Sequence, residues 1–205
     1  MFVSIDDGAH WSRLEANLPT VAVHDLTIHP RENDLVIATY GRALWSGDIT
    51  PLQELSGEVL TKPAYLFDVE PKARYGFSTQ GMNYHLFGDK YLEVPNEPEA
   101  LAINYYLNAD AASGARITVK DSSGQVARQM DGPAKRGLNR AIVNLAGTGG
   151  RGAGAGGGQG QRGRGAAPAP PLGIGDYTVT LEVAGATVTK PARIRPRITG
   201  GAPPL

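Results

Sequence analysis

Apolar and polar positions along this chain alternate mostly with a period of two, the spacing of half-buried strands. Phe2-Val3-Ser4-Ile5 breaks at Asp6-Asp7-Gly8 and a tryptophan, Trp11, follows at once, which reads as strand, tight turn, strand. Asp and Gly accept turn conformations that branched residues resist, and an indole is large enough to plug the gap beneath such a turn. After a turn-prone Leu18-Pro19-Thr20, the polar residues Asp25, Thr27 and His29 interleave with Leu26 and Ile28, predicting a strand with one buried face. Pro30 to Asp34 is a polar turn. The unbroken apolar run Leu35 to Thr39 predicts a strand covered on both sides. Tyr40-Gly41-Arg42 turns again, and Ala43-Leu44-Trp45-Ser46 opens another strand.

One short stretch carries a helix signal: Thr50 can cap, Pro51 suits a first turn, and Gln53 completes a capping-box spacing before Leu55. Ala64 to Val69 reads as a strand, and 71–98 as an irregular segment bearing Tyr75, Phe77, Tyr84, Phe87 and Tyr91. From Ala100 onward the period of two returns. Strands are predicted over 102–107, 115–120, 125–130, 137–145, 175–183 and 186–194, with hairpin turns at Asp121-Ser122-Ser123-Gly124 and Ala184-Gly185. Several short strands with turn signals between them describe a small sandwich.

Composition changes this picture at one place. Glycine numbers 27 and proline 15 in 205 residues, but much of the glycine lies in 147–173, a Gly/Ala/Arg/Gln tract ending in prolines with almost nothing to bury. It is expected to be a disordered insertion between two strands, tolerated because closure entropy grows slowly with loop length; 197–205 is expected to fray. Twenty basic and 20 acidic residues leave no net charge, so no global field draws the chain to nucleic acid. No run approaches the length of a membrane span. With no cysteine, disulfides, thiolate metal sites and thiol catalysis are excluded. The N-terminus has neither basic region nor long apolar core, so no signal peptide is expected there, and a chain opening inside a strand is expected to be the tail of something longer.

Ser4-Ile5-Asp6-Asp7-Gly8-Ala9-His10-Trp11 resembles the Asp-box, S/T-x-D-x-G-x-x-W, of sialidase-like and sortilin-like propeller blades. The later V-H-D-L-x-x-H-P and D-L-V-I-A-T-Y-G-R-A-L-W stretches resemble the final blade of such bacterial propellers. The likeness covers roughly the first quarter of the chain. It implies that Ser4, Asp6, Gly8 and Trp11 are structural residues of a blade turn, and that fewer than two blades are present where a propeller needs several. The strands from 102 onward look like the immunoglobulin-like domain of the flagellar hook-capping protein. The expected organisation is all-β: a partial terminal propeller region (1–49), a connector with a short helix and aromatic-rich segment (50–99), an immunoglobulin-like β-sandwich (100–196) and the tail. The resemblance implies a non-catalytic C-terminal portion of an exported protein, secreted or periplasmic in its full-length parent. Carbohydrate or protein would bind through the complete propeller. The alternative is the tail of a sialidase-like glycoside hydrolase whose active site lies in absent blades.

Candidate chemistry is sparse. A glycosidase needs two carboxylates flanking the sugar, and no positions here match the arginine triad, Tyr/Glu pair and acid of sialidases; Arg13, Arg31 and Arg42 have no clamp-like spacing, nor do Tyr40 and Glu32 form a pair beyond proximity in sequence. Asp6 and Asp7 are expected to bond turn amides. In a regular strand His24 and Asp25 point to opposite faces, and Asp25 and His29 are too far apart to chelate, so neither metal nor cofactor is expected. Arg151, Arg162 and Arg164 among glycines resemble an RGG-type tract but lack interleaved aromatics. Tyr75 to Tyr91 would form either a sugar-stacking surface or, the preferred reading, packing between propeller and sandwich. Open strand edges are expected to promote self-association.

Overall fold

A computed structural model of the chain describes residues 1–14, 18–30, 33–74, 99–147 and 169–196. Two-residue strands β1 (Phe2–Val3) and β2 (Ser12–Arg13) pair antiparallel. Strands β3 (Val23–Ile28), β4 (Asp34–Thr39) and β5 (Leu44–Asp48) form a sheet in that order. Helices α1 (Thr50–Glu54) and α2 (Gly57–Thr61) lead into β6 (Ala64–Leu66) and β7 (Lys72–Arg74). Then come β8 (Ala100–Leu107), β9 (Ala115–Asp121), β10 (Val126–Gly132), β11 (Gly137–Asn144), β12 (Gly175–Val183) and β13 (Ala186–Pro196). The fold is all-β, the two helices being about one turn each.

The strands from β6 onward form two sheets, β11-β8-β6 and β10-β9-β12-β13-β7. All pairings are antiparallel except β13 with β7. Alternation sets the inward faces. Leu101, Ile103, Tyr105 and Leu107 of β8 meet Ile117 and Val119 of β9, Val179 and Leu181 of β12 and Ile194 of β13 in one buried cluster. Each such side chain contributes roughly 1.5–3 kcal/mol by leaving water. The polar tip of Tyr105 is satisfied, its hydroxyl donating to the Pro133 carbonyl, and buried Asn139 bonds Lys135 and Gly137. Turn chemistry follows the sequence: the Asp121 carboxylate accepts the amides of Ser123 (2.9 Å) and Gln125 (3.0 Å), and Ala184 (φ 50°) with Gly185 (φ 78°) closes β12 onto β13.

Arg74, Glu99, Leu145 and Leu172 meet at one corner of this sandwich. Arg74 pairs with Glu99 (3.8 Å) and donates to the Leu172 carbonyl (3.0 Å), the Leu145 amide donates to Glu99, and that of Leu172 to Leu145. Arg128 donates to the carbonyls of Ala127 and Pro170. The expectations for 75–98, 148–168 and 197–205 lie outside the described residues.

Residues 1–49 pack differently. Among their described hydrophobic residues only Ile37 is buried. β3 alternates as expected, yet every residue of it is exposed, Leu26 and Ile28 by about half, so the predicted buried face is open at its β3 end. β4 is half-buried rather than covered on both sides. Cross-strand pairing puts Leu26, Ile37 and Trp45 in one row and Ile28, Leu35 and Gly47 in the next, all on one face. The connector fastens this sheet to the sandwich: Thr50 donates to Glu70 (2.9 Å), while Glu54 accepts from the Tyr65 hydroxyl and the Asp68 amide. Lys190 bonds Asp68 and lies near the Tyr65 ring; that hydrogen bond holds the Lys190 ammonium above its usual pKa. Thr50 does not cap α1; the N-cap is Ile49, and the Asp48 carboxylate accepts the Thr50 amide. α2 is an element the apolar pattern does not announce, capped by Ser56, whose hydroxyl accepts from Val59.

Candidate functional site

The Ser4–Trp11 turn brings together all four residues the motif singles out. Phe2 pairs with Arg13 and Val3 with Ser12, and the Leu14 amide donates to the Met1 carbonyl, closing the hairpin base. Between them Asp7 (φ 54°) and Gly8 (φ 89°) are left-handed, a conformation Asp tolerates and Gly takes without cost. The Ser4 hydroxyl accepts the Gly8 amide (2.8 Å) and donates to Asp6 (2.9 Å). Asp6 accepts the His10 amide (2.9 Å) on one oxygen and meets His10 Nδ1 (2.6 Å) with the other. Trp11 donates its indole N–H to the Gly8 carbonyl (3.1 Å). The indole does not plug a gap beneath the turn: it is 65% exposed and lies across Gly8.

These contacts decide the chemistry. The His10 amide, then the His10 and Ser4 side chains, hold the Asp6 carboxyl at about 2. A general acid or base works best with a pKa near the operating pH, so Asp6 is ionised and weakly basic at neutrality. A nucleophilic relay places the imidazole between hydroxyl and carboxylate; here the carboxylate stands between Ser4 and His10. What the arrangement can do is hold a turn.

A second turn uses the same indole device, which the sequence reading missed. Trp45 donates to the Arg42 carbonyl (2.9 Å), again three residues back, and the Thr39 hydroxyl donates to Ala43 (2.6 Å) across left-handed Gly41 and Ala43. The available signal was a second tryptophan shortly after a turn glycine.

The other candidates are not brought together. His24 sits where the β3–β4 register shifts, so the simple alternation of faces fails there, and its ring stacks on Tyr40 at 5.3 Å. Asp25 bonds the amide of Leu26, its own neighbour. No group of three or more His, Asp or Glu close enough to hold a metal occurs among the described residues. Arg31 and Glu32, the aromatics from Tyr75 to Tyr91, and Arg151, Arg162 and Arg164 lie outside them. No described helix is long and apolar enough to cross a membrane. Comparison with models of protein families and with curated proteins returned no match for this chain.

Proposed function

We propose that this chain is the non-catalytic C-terminal portion of an exported β-propeller protein, secreted or periplasmic, that binds carbohydrate or protein. Residues 1–49 contribute the closing turn of one blade and strands of the next, and the sandwich is an immunoglobulin-like domain behind them. The observation that carries the reading is the Asp6 carboxylate, whose oxygens are spent on Ser4 and His10 within the turn instead of facing a substrate.

Two further features support it. Leu26 and Ile28, at the β3 end of the apolar face, are half-exposed, as expected of an edge strand lacking a neighbour. The order β10-β9-β12-β13 opposite β11-β8-β6 suits an immunoglobulin-like sandwich, with the β6–β7 segment crossing from one sheet to the other.

The test is to produce the chain with and without the polypeptide encoded immediately upstream and to compare binding of an apolar dye. The reading expects further Asp-box turns in that sequence and a fall in dye fluorescence as Leu26 and Ile28 of β3 are covered. Unchanged fluorescence, or an upstream sequence without such turns, contradicts it.

A further inference from the structure

A cavity of about 280 Å³ lies between the apolar face of β4–β5 and the outward face of β8 and β11. That is near the lower end of small-ligand pockets, roughly 300 Å³. Leu35, Ile37 and Trp45 form one wall and Leu52 of α1 closes a side. The Trp45 indole donates to the Arg42 carbonyl, which orients the ring within this wall. On the opposite wall Arg140 and Asn104 are directly paired across the strands, both on the face pointing away from the sandwich core. Neither side chain has a hydrogen-bond or ionic partner among the described residues, although both line the cavity.

An apolar chamber with one uncommitted guanidinium and one uncommitted amide has a complementary ligand class. We propose that this cavity binds a small monocarboxylic acid with an apolar body, its carboxylate on Arg140 and Asn104 and its body against Leu35, Ile37 and Trp45. Guanidinium matches carboxylate geometry with two parallel donors. Asp48 also lines the cavity, one of its oxygens accepting the Thr50 amide, and its charge disfavours a second carboxylate on the ligand. The site stands on residues of this chain alone and is independent of the propeller reading.

Octanoate is a suitable probe, with octanamide and octanedioate as controls, followed by amide and indole chemical shifts in the whole chain. Saturable shifts are expected at Trp45, Ile37 and Arg140, with octanoate about tenfold tighter than octanamide, the worth of one charge-assisted contact, and octanedioate weaker than octanoate. Arg140→Gln, a change at an exposed position, should bring octanoate to the octanamide level and leave octanamide unaltered. An added side chain at Gly47, which has open space around it on the cavity face, should block entry, so Gly47→Leu should abolish the shifts with both ligands. The proposal is overturned if none of these residues shifts saturably up to roughly 5 mM octanoate. It is equally overturned if Arg140→Gln leaves the preference for octanoate intact, or if Gly47→Leu, with an otherwise native spectrum, binds as before.

Discussion

Gly132, the last residue of β10, has room for a hydrogen and nothing more. A Cβ there would run into the Tyr105 hydroxyl and stand 3.0 Å from Ile117 Cδ1. Tyr105 reaches across the core from β8 to donate to the Pro133 carbonyl, so the two sheets are tied together beside that glycine. Gly132→Ala should therefore cost about 1–3 kcal/mol through overpacking. Tyr105→Phe should cost about 1 kcal/mol for the lost hydrogen bond, because exposed Pro133 can offer its carbonyl to water. The same change also removes the very atom the alanine would strike. What remains is Ile117 Cδ1, the end of a flexible side chain, and the ring carbon Cζ at 3.4 Å, an ordinary contact. In the Tyr105→Phe background the alanine should thus cost under about 1 kcal/mol, giving a coupling of roughly 1–2 kcal/mol between sites. Urea denaturation of the four proteins, followed by near-ultraviolet circular dichroism with unchanged slope, measures it. Costs that add within about 0.5 kcal/mol would refute the packing described for this corner.

Burial raises the Tyr105 hydroxyl to about 12. Because the folded value lies above the ordinary 10, its contribution to stability is complete below pH 10 and is lost as pH rises toward 12; phenolate absorbance should show a tyrosine still protonated at about pH 11 in the folded chain and ionised there once urea unfolds it. Gly147 lies against Ala169 and Pro171, so replacing 149–167 with a short Gly-Ser link that retains Pro170 for Arg128 should keep cooperative melting. Shortening the loop about fourfold should add about 1 kcal/mol, and loss of the transition would show the tract to be structural. Leu26 and Ile28 at half exposure on β3, an edge strand, should make the chain self-associate; light scattering that shows a monomer at high concentration counts against this.

The sandwich was legible because each strand carries its own alternation and each turn its own residues. Ile117 to Lys120, Asp121 to Gly124, and Tyr177 to Val183 need only near neighbours to specify strand or hairpin. The Ser4–Trp11 turn was legible for the same reason: all its hydrogen bonds fall within four residues. What escaped depends on distant partners. Whether Leu26 is buried depends on what lies above its face, and alternation alone cannot supply that cover. The parallel pairing of β7 with β13, the meeting of Arg74 with Glu99 and Leu172, and the cavity between Trp45 and Arg140 join residues far apart in sequence. His24 escaped through the shift in β3–β4 register, which breaks the period on which face assignment rests. α2, at five residues, is too short to show a helical period, leaving only its Ser56 cap as a signal.

If Asp6 holds the first hairpin together, the cross-strand nuclear Overhauser contact between Phe2 and Arg13 depends on its carboxylate. Asp6→Ala should remove that contact at neutral pH while leaving the pairing of Tyr105 with Asn139 in the sandwich intact. Persistence of the Phe2–Arg13 contact in the variant would contradict a scaffolding role for Asp6 and free the carboxylate for another.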